Sequence, residues 1–380
     1  MSEYKFAATC LFGLEGFLGE EIDSLGYKRT ETIDGRVFFE GDETAIARAN
    51  INLRTAERLF LIVREFDVTD FDTLFEQTKR AEWEEYLPEN AVFPVTGHSI
   101  KSKLFSVPDC QKIVKKAIST RLGSYYKKNW LEETGDRYKI EFFILKDHAY
   151  IMIDCSGDSL HKRGYRPEST TAPLRETLAA AMVKISRPRE NVLFWDPMCG
   201  SATIAIEAAL IMTNTAPGLH RHFDAEKFGF VDKKVWNNAF EEAKNAVVET
   251  QFEAYASDID ENAVQIAKQC VKNAGMEKYI KVFRQDALKI ETGGRRGTVV
   301  CNPPYGERLV SLKEAERLYI NMGRHFATLD NWQIYVLTNN ENFEKLFNRK
   351  ADKKRKLYNG MIPCIYYQFY KKQEQKGKRQ

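Results

Sequence analysis

Short apolar runs separate amphipathic segments along most of the chain, and the rhythm of this alternation differs between its two halves. Over residues 1–155, strands and helices of unequal length follow one another, which predicts two small α+β modules in series. The predicted strands are Tyr4–Cys10, Arg36–Glu40, Arg58–Phe66, Val92–His98 and a hairpin over Tyr138–Cys155, and the predicted helices are Leu14–Leu25, Asp42–Asn52, Asp70–Tyr86 and Pro108–Lys128.

Residues 191–370 keep a stricter rhythm, in which short apolar strands alternate with helices. This pattern predicts a parallel, doubly wound α/β sheet. Between the halves, residues 156–190 form a junction with a basic stretch, His161–Arg166, and an amphipathic helix, Leu174–Ile185. The predicted strands of the second half are Val192–Trp195, Ala254–Ser257, Ile280–Arg284, Thr298–Cys301, Gln333–Leu337 and Ile362–Tyr370, and the predicted helices are Thr203–Thr213, Glu261–Ala274, Leu312–Leu329 and Asn342–Phe347.

Composition narrows the class of protein. The 380 residues are 43% hydrophobic and 29% charged, which is typical of a globular protein with two or three domains. No apolar run approaches the ~18 residues of a membrane span. Seven cysteines are scattered without a Cys-x-x-Cys pair, so neither a zinc site nor a disulfide framework is supported, and a cytoplasmic location is expected. The net charge of +3 does not by itself indicate a nucleic-acid partner.

Four polar motifs follow successive strands of the second half. The first, Asp196-Pro-Met-Cys-Gly-Ser-Ala-Thr203, would let a nucleotide-like cofactor approach backbone amides, although an ordinary tight turn explains it equally well when it stands alone. Asp258 ends the next strand and suits ribose hydroxyls, while Asp260 is expected to cap the following helix. Asp286, after the third strand, can accept from an adenine amino group or serve as a turn residue.

The fourth motif, Asn302-Pro-Pro-Tyr305, is the most specific of the four. Its two prolines fix the backbone and free carbonyl oxygens from the sheet ladder. The Asn302 amide oxygen and the Pro303 carbonyl can both accept from one NH2 group, and Tyr305 can stack on a flat base. Such an arrangement draws the nitrogen lone pair out of conjugation and directs it at an electrophile. The motif therefore indicates a site for an exocyclic amine.

Together these motifs resemble those of class I S-adenosylmethionine-dependent methyltransferases that act on amino groups, over about residues 165–370. The resemblance implies S-adenosylmethionine as cofactor, S-adenosylhomocysteine as product, and a Rossmann-like sheet with an antiparallel C-terminal strand. The implied catalytic residues are Asn302, Pro303, Pro304 and Tyr305, and the implied cofactor contacts are Asp196, Met198, Cys199, Gly200, Ser201, Asp258, Ile259, Asp286, Ala287 and Asn302. Ala202 stands where these enzymes usually have glycine, and we expect a small effect unless that position needs a positive φ.

Three further stretches resemble guanine-N2 methyltransferases of structured RNA, namely the RlmL-type 23S rRNA enzymes and their transfer-RNA relatives. They are Gly306-Glu-Arg308, His161–Arg166 and Thr171–Glu176, and the last adds Pro173 and Leu174 to the implied cofactor site. The resemblance implies methylation of the N2 amine of a guanosine in 23S rRNA, either free or in a large-subunit assembly intermediate. A tRNA enzyme of the same architecture, a DNA amino-methyltransferase and a non-catalytic RNA-binding assembly factor remain as alternatives.

A basic segment of the N-terminal half is the expected RNA-binding module. Residues 98–131 carry eight lysines and arginines against one acidic residue, interleaved with aromatic side chains, which suits RNA phosphates and unstacked bases. A solvated helix face is the alternative. The segment resembles a THUMP domain, and the predicted RNA contacts are Lys101, Lys103, Lys112, Lys115, Lys116, Arg121, Arg163 and Arg166. The basic stretch Asn348–Lys356 is a second expected phosphate contact.

These inferences predict the domain organisation. A ferredoxin-like domain is expected over 1–64 and a THUMP domain over 65–156, followed by a linker and helix over 157–190. The methyltransferase domain is expected over 191–371, with a disordered basic tail over 372–380. The expected partner is structured RNA, and neither a membrane nor a metal is expected.

Overall fold

The computed structural model describes residues 4–166, 174–306 and 311–370 of the chain. Backbone contacts divide these residues into two units. The first comprises 4–10, 15–160 and 221–245, and the second comprises 11–14 together with the other described residues from 161 onward. No helix of the described part is both long enough and apolar enough to cross a membrane.

The first unit begins with a βαββαβ arrangement, which is the ferredoxin-like topology. Its elements are β1 (Tyr4–Cys10), α1 (Glu15–Ser24), β2 (Lys28–Ile33), β3 (Arg36–Gly41), α2 (Thr44–Asn52) and β4 (Ala56–Asp67). The strands pair antiparallel in the order β2-β3-β1-β4. Strand β2 was not predicted, because it is an edge strand whose polar sequence is exposed along almost its whole length.

The THUMP-like segment extends the same sheet. It contains α3 (Phe71–Lys79), β5 (Val95–Ile100), α4 (Val107–Tyr126), β6 (Ile140–Leu145) and β7 (His148–Asp154). Strand β7 pairs antiparallel with β4, so that one seven-stranded sheet, β2-β3-β1-β4-β7-β6-β5, spans both predicted modules. The prediction of a single helix over Asp70–Tyr86 is wrong. Helix α3 ends at Lys79, and the buried indole of Trp83 donates to the Thr78 carbonyl at 2.8 Å, which turns the chain into a short 3-10 helix.

A segment inserted in the C-terminal half of the sequence packs within the first unit. Residues 221–245 contain α7 (Lys233–Asn245) and belong to that unit by their contacts. The guanidinium of Arg48 on α2 forms an ion pair with Glu242 at 2.8 Å. The rings of Tyr138 and Phe228 stack with their centroids 4.6 Å apart. Residues 221–245 lie within the range expected for the methyltransferase domain, yet by their contacts this insertion is part of the first unit.

The second unit is built on a doubly wound sheet. Its elements are α5 (Glu176–Ser186), β8 (Leu193–Asp196), α6 (Thr203–Met212), β9 (Ala254–Asp258), α8 (Glu261–Asn273), β10 (Ile280–Arg284), β11 (Gly297–Cys301), α9 (Leu312–Phe326), β12 (Trp332–Thr338), α10 (Phe343–Leu346), β13 (Lys353–Asn359) and β14 (Ile362–Phe369). The strand order is β10-β9-β8-β11-β12-β14-β13. Strands β8 to β12 are parallel, whereas β14 runs antiparallel to β12 and β13 runs antiparallel to β14.

This topology confirms the predicted fold class, including the antiparallel C-terminal strand. It adds one strand that was not predicted, β13, because four consecutive basic residues hide its alternation. The order of the parallel strands reverses at β8, which pairs with β9 on one side and β11 on the other. Loops that leave β8 and β11 at their carboxyl ends therefore diverge, and the crevice between them is where ligands bind in open α/β sheets.

Gly323 in α9 provides a test of how closely this helix packs against the backbone at Phe347. An added Cβ would lie 2.1 Å from the Phe347 carbonyl oxygen. A helix glycine replaced by alanine ordinarily gains roughly 0.5–1 kcal/mol of stability. We expect Gly323→Ala instead to lower the free energy of unfolding by about 1–3 kcal/mol, because backbone must move to admit the methyl group.

Urea denaturation measures this difference, with Gly16→Ala in α1 as the matched control. The added Cβ of that variant meets no described atom within 4 Å. The control should be neutral or stabilising, and a similar change in both variants would contradict the packing argument.

Candidate active site at the carboxyl edge of the second sheet

The buried carboxylate of Asp196 lies at the carboxyl end of β8. Its residue is 1% exposed, and Oδ1 has no hydrogen-bond partner among the described residues. Burial raises the pKa of Asp196 well above its usual value, and the neighbouring Asp258 carboxylate raises it further, while a hydrogen bond from the Met198 amide opposes the shift. An unpartnered buried carboxylate at a strand end is suited to a cationic ligand group.

The loop after Asp196 has the open backbone that the sequence predicted. Gly200 has φ +51°, and a Cβ added there would meet no described atom within 4 Å. Its amide donates to Oδ2 of Asp258 at 3.0 Å, and the Cys199 amide donates to the Ser257 carbonyl at 3.0 Å, so the loop is tied to the end of β9. Ala202 has φ +60°. This position therefore does need a positive φ, which is the case in which alanine instead of glycine has an effect. The left-handed conformation costs an alanine roughly 1–2 kcal/mol.

The other acidic residues each have a structural role as well. Asp258 Oδ1 accepts from the Asp260 amide at 3.1 Å. The Asp260 side chain caps α8, which confirms the predicted cap. Asp286 accepts from the Leu288 amide at 2.9 Å, as a turn residue does. The turn role and the predicted adenine contact use the same carboxylate and do not exclude each other.

A cleft of about 740 Å³ brings part of the predicted cofactor site together. Its wall includes Ile259, which is 61% exposed, and Asp286. The buried Ala287 lies beside this wall in the chain. The floor is aromatic, since the ring of Tyr255 meets those of Trp195 and Phe283 edge to face. An open cleft with aromatic side chains in its lining and a polar rim suits a purine-sized group.

The Asn302-Pro-Pro-Tyr305 motif leaves the carboxyl end of β11. The hydroxyl of Tyr305 donates to Oδ1 of Asn302, and the side-chain amide of Asn359 lies 3.5 Å from the same hydroxyl. Burial raises the pKa of Tyr305 well above its usual value. From below, the buried Tyr319 hydroxyl donates to the Pro304 carbonyl at 2.8 Å and lies 3.1 Å from Oγ1 of Thr338. These contacts fix both the acceptor side chain and the backbone of the motif.

Two arginines predicted to bind RNA lie in the interior instead. Arg163 is 3% exposed, and its guanidinium lies 3.4 Å from Glu207. Arg166 forms an ion pair with Glu176 at 3.2 Å and donates to Oγ1 of Thr203 at 2.6 Å, where α6 begins. Both therefore brace α6, the helix that follows the Asp196 loop, and Arg166 does so at its first residue. We do not retain either as an RNA contact.

Sequence reasoning missed these supporting residues. Tyr319, Glu176 and Glu207 are buried polar side chains on helices, and nothing in their local sequence distinguishes them from surface positions. Leu174, which was predicted to contact the cofactor, is buried and lies two residues before Glu176 in the chain. Its contact with the cofactor stays a prediction. Pro173 and the Glu307-Arg308 pair lie outside the described residues.

The basic segment around α4 is only partly free for a ligand. Lys115 is held by Glu133 at 2.5 Å and lies over the Phe93 ring, and Arg121 is paired with Glu84. Neutralised, half-buried cations attract phosphates weakly. Four of the six predicted contacts in this segment remain exposed: Lys101, Lys103, Lys112 and Lys116. The exposed rings of Tyr125 and Trp130 follow on the same segment.

Three models of known protein families match successive parts of the chain. A model described as the RMKL-like methyltransferase domain matches residues 163–368. The model of the RlmL ferredoxin-like domain matches residues 5–60, and the THUMP domain model matches residues 68–154. The chain belongs to the RMKL-like methyltransferase family. The predicted family and both N-terminal domain types are thereby confirmed.

Relatives within this family extend over nearly the whole chain. YpsC of Bacillus subtilis is 47% identical over 98% of this chain and 97% of its own length. The proteins named ribosomal RNA large subunit methyltransferase K/L of Syntrophotalea carbinolica and Hahella chejuensis are 32% and 30% identical, over 96% and 97% of this chain. The chain spans about half of these K/L proteins, 53% of each.

Solved structures show the same architecture. SMU.472, crystallised in complex with SAH, is 40% identical with a TM-score of 0.91, over 98% of this chain and all of the other. A structure titled as a predicted N6-adenine-specific DNA methylase from Listeria monocytogenes is 44% identical with a TM-score of 0.92, over 98% of this chain and 97% of the other. TrmN from Thermus thermophilus, at 19% identity and a TM-score of 0.70, covers 97% of this chain and all of its own and shows the fold alone.

The cofactor of this methyltransferase is S-adenosylmethionine. The residues present fit it: the unpartnered Oδ1 of Asp196 suits the ammonium group of its methionine end, and the open space at Gly200 admits a ligand against the backbone. Among the described residues, no group of three or more His, Cys, Asp or Glu side chains could hold a metal ion. All seven cysteines are buried, and none of them forms a disulfide bond.

Asp196 should make cofactor binding depend on pH. Because burial raises the pKa of Asp196, its carboxyl group in the free protein ionises over a higher pH range than an ordinary aspartate does. The ionised carboxylate is the form that pairs with an ammonium group, so binding releases a proton. The affinity for S-adenosylhomocysteine should therefore rise with pH until Asp196 is fully ionised.

Asp196→Asn tests this assignment by calorimetry. The variant is expected to bind S-adenosylhomocysteine at least about tenfold more weakly, since it loses a charge-assisted hydrogen bond, and to lose the pH dependence. Asp260→Asn is the matched control, because asparagine can still cap α8. Unchanged affinity and an unchanged pH profile in the first variant would contradict the role of Asp196.

Tyr319→Phe should slow the reaction without weakening cofactor binding. Tyr319 holds the Pro304 carbonyl from below, and one hydrogen bond contributes about 1 kcal/mol, which corresponds to roughly a fivefold change in rate. Steady-state kinetics should show this fall in kcat, with the dissociation constant of S-adenosylhomocysteine unchanged. Tyr335→Phe, which loses a hydroxyl bonded to Gln333, is the control. Equal effects of both substitutions would mean that Tyr319 serves stability alone.

Proposed function

We propose that this chain is an S-adenosylmethionine-dependent RNA methyltransferase that methylates the N2 amine of a guanosine in 23S rRNA. The observation that carries the proposal is the arrangement of Asn302 and Tyr305 at the carboxyl end of β11, beside the Asp196 loop. Two kinds of acceptor, a side-chain amide oxygen and proline carbonyls, are presented there on a rigid backbone. The THUMP domain and the names of the K/L relatives support an RNA substrate.

In this proposal Asn302 and Pro303 orient the target amine. Oδ1 of Asn302 and the Pro303 carbonyl each accept one hydrogen of the NH2 group, which turns the nitrogen lone pair away from the base and along the line of attack. In the described structure the Tyr305 hydroxyl already donates to Oδ1 of Asn302. The incoming amine would therefore displace this hydroxyl, and the Tyr305 ring would then stack on the base.

The cofactor residues are assigned from the same edge of the sheet. Asp196 would pair with the ammonium group, Asp258 would accept from the ribose hydroxyls, and Asp286 with the adjoining cleft would hold the adenine. When bound, S-adenosylmethionine supplies an electrophilic methyl group on a sulfonium. Met198, Cys199, Gly200 and Ser201 would line its methionine end, and Ile259 and Ala287 would pack against its adenosine.

No side chain of the motif needs to act as a general base. The pKa of Tyr305 is raised by burial, so its hydroxyl stays protonated at neutral pH and cannot accept a proton. Methylation makes the amine nitrogen acidic, and its proton can pass to water. The protein contributes alignment of the reacting atoms rather than proton transfer.

Two other substrates fit the same clamp. A DNA adenine amine presents the same NH2 geometry, and the name of the Listeria structure points to that class. A guanosine in tRNA differs from one in 23S rRNA only in its surroundings. The THUMP domain favours RNA over DNA, and the K/L relatives favour ribosomal RNA over tRNA.

Deletion of the gene and complementation with Asn302→Ala test the proposal. We expect the deletion to remove N2-methylguanosine from one position of 23S rRNA, as mapped by nuclease digestion and mass spectrometry. The wild-type gene should restore it and Asn302→Ala should not, because the amine loses an acceptor. Purified Asn302→Ala should still bind S-adenosylhomocysteine.

Asn262→Ala, an exposed asparagine on α8, is the matched control and should restore the modification. Loss of the modified base from tRNA would overturn the ribosomal substrate while keeping the mechanism. Loss of methyladenine from DNA would overturn the RNA assignment. Full complementation by Asn302→Ala would overturn the catalytic role of the clamp.

A further inference from the structure

The hairpin formed by β13 and β14 ends at the same edge of the sheet as the Asn302 motif. Strand β14 runs antiparallel to β12, with Ile365 paired to Thr338 at the carboxyl end of β12. Strand β14 begins three residues earlier, at Ile362, so the turn lies about 10 Å beyond that end. The tip therefore projects past the edge from which the clamp residues emerge.

A side chain at the tip reaches the clamp. The amide nitrogen of Asn359, the last residue of β13, lies 3.5 Å from the Tyr305 hydroxyl, which itself donates to Asn302. The tip of the hairpin is thus one contact away from the residue that orients the target amine. A base whose amine is held by Asn302 would therefore have the hairpin tip as its neighbour.

The tip presents an apolar side chain directly to solvent. Met361 is 95% exposed, the highest exposure of any large hydrophobic side chain in the described part of the chain. Three residues earlier on the hairpin, the Tyr358 ring contacts that of Phe12, which is 55% exposed, with centroids 6.0 Å apart. Exposed apolar side chains that border a nucleic-acid site are suited to stack on bases or to wedge between them.

The outer strand of the hairpin adds positive charge. Lys353 and Lys356 on β13 are exposed and have no acidic partner among the described residues. They differ from Lys354, which is paired with Glu344 at 2.9 Å. Along the strand, Lys356 lies three residues from Asn359, or about 10 Å, and Lys353 lies six residues from it, or about 20 Å. Unpaired cations at these two distances from the clamp can reach successive phosphates of a strand that carries a bound nucleotide.

From these observations we infer that the β13–β14 hairpin is the element that grips RNA beside the target base. Met361 packs against the bases next to the extruded nucleotide and fills the space that it leaves, while Lys353 and Lys356 bind the flanking phosphates. This inference rests on the proposed function, since it assigns the substrate-facing border of the same site. Extrusion of the base is required because the clamp surrounds an exocyclic amine that stacking and pairing would shield.

Lysines on an edge strand also keep that strand from pairing with other chains. Protection of the edge strand needs no RNA. The salt dependence of RNA binding therefore distinguishes this role from phosphate binding. We would measure binding of ribosomal RNA from the deletion strain to the full chain over a range of salt concentrations. The double variant Lys353→Ala/Lys356→Ala should reduce the slope of log affinity against log salt by about two, because each lysine that neutralises a phosphate adds close to one to that slope.

The matched control is Lys268→Ala/Lys272→Ala, which removes two exposed lysines from α8 at the opposite end of the sheet. Its slope should equal that of the wild type. Equal slopes for both double variants and the wild type would overturn the phosphate contacts. They would leave edge protection as the role of Lys353 and Lys356.

Met361→Ala tests the wedge. At saturating RNA we expect kcat to fall at least about tenfold, with the salt slope, the thermal midpoint and the affinity for S-adenosylhomocysteine unchanged. Val248→Ala, at another exposed apolar side chain, should leave kcat unchanged. Wild-type kcat in Met361→Ala would overturn the wedge.

Asn302→Ala, measured in parallel, keeps failure of this inference distinct from failure of the proposed function. If Asn302→Ala is inactive while the hairpin variants behave like the wild type, the proposed function stands and the hairpin inference is wrong. If the wild-type protein transfers no methyl group to this RNA, the proposed function fails, and the hairpin inference fails with it.

Discussion

The structure of the second unit depends on the reversal of strand order at β8. Because β8 pairs with β9 on one side and β11 on the other, the loops that leave β8 and β11 turn to opposite faces and open a crevice between them. The residues that the proposed function assigns to the cofactor and to the target amine lie at, or shortly after, the carboxyl ends of strands of this sheet. The Gly200 amide bound to Asp258 holds one wall of the crevice in place.

The site is rigid because buried polar groups hold its loops from beneath. Tyr319 bonds the Pro304 carbonyl and Thr338, so the clamp rests on both α9 and β12. Arg166 bonds Thr203 where α6 begins, next to Ser201 of the cofactor loop. A buried hydrogen bond is expensive to leave unmade, so these contacts restrict each loop to one conformation. Oδ1 of Asp196 has no such partner among the described residues and is thereby available to a ligand.

Basic stretches of the sequence do not all form positively charged surface in this protein. Arg163 belongs to a basic stretch, yet it is buried against Glu207. Lys115 and Arg121 lie in the most basic segment of the chain, yet each has a carboxylate partner. On β13, neighbouring lysines divide into paired and unpaired ones. Only the unpaired, exposed cations contribute to an attractive field for RNA, and counting basic residues along the chain overstates that field.

Local sequence was enough to predict the parallel sheet and the four motifs at its strand ends, because each is encoded in a short stretch of chain. The resemblance that these motifs carry then implied the cofactor and the family. Strand alternation and the Asn302-Pro-Pro-Tyr305 motif need no information from distant residues. Strands β2 and β13 escaped prediction because edge strands can be polar on both faces. The folded molecule alone shows that Arg163 is buried, that Tyr319 supports the clamp, and that the insertion carrying Glu242 packs in the first unit. Those facts depend on residues far apart in the chain, whose meeting is determined by packing rather than by local pattern.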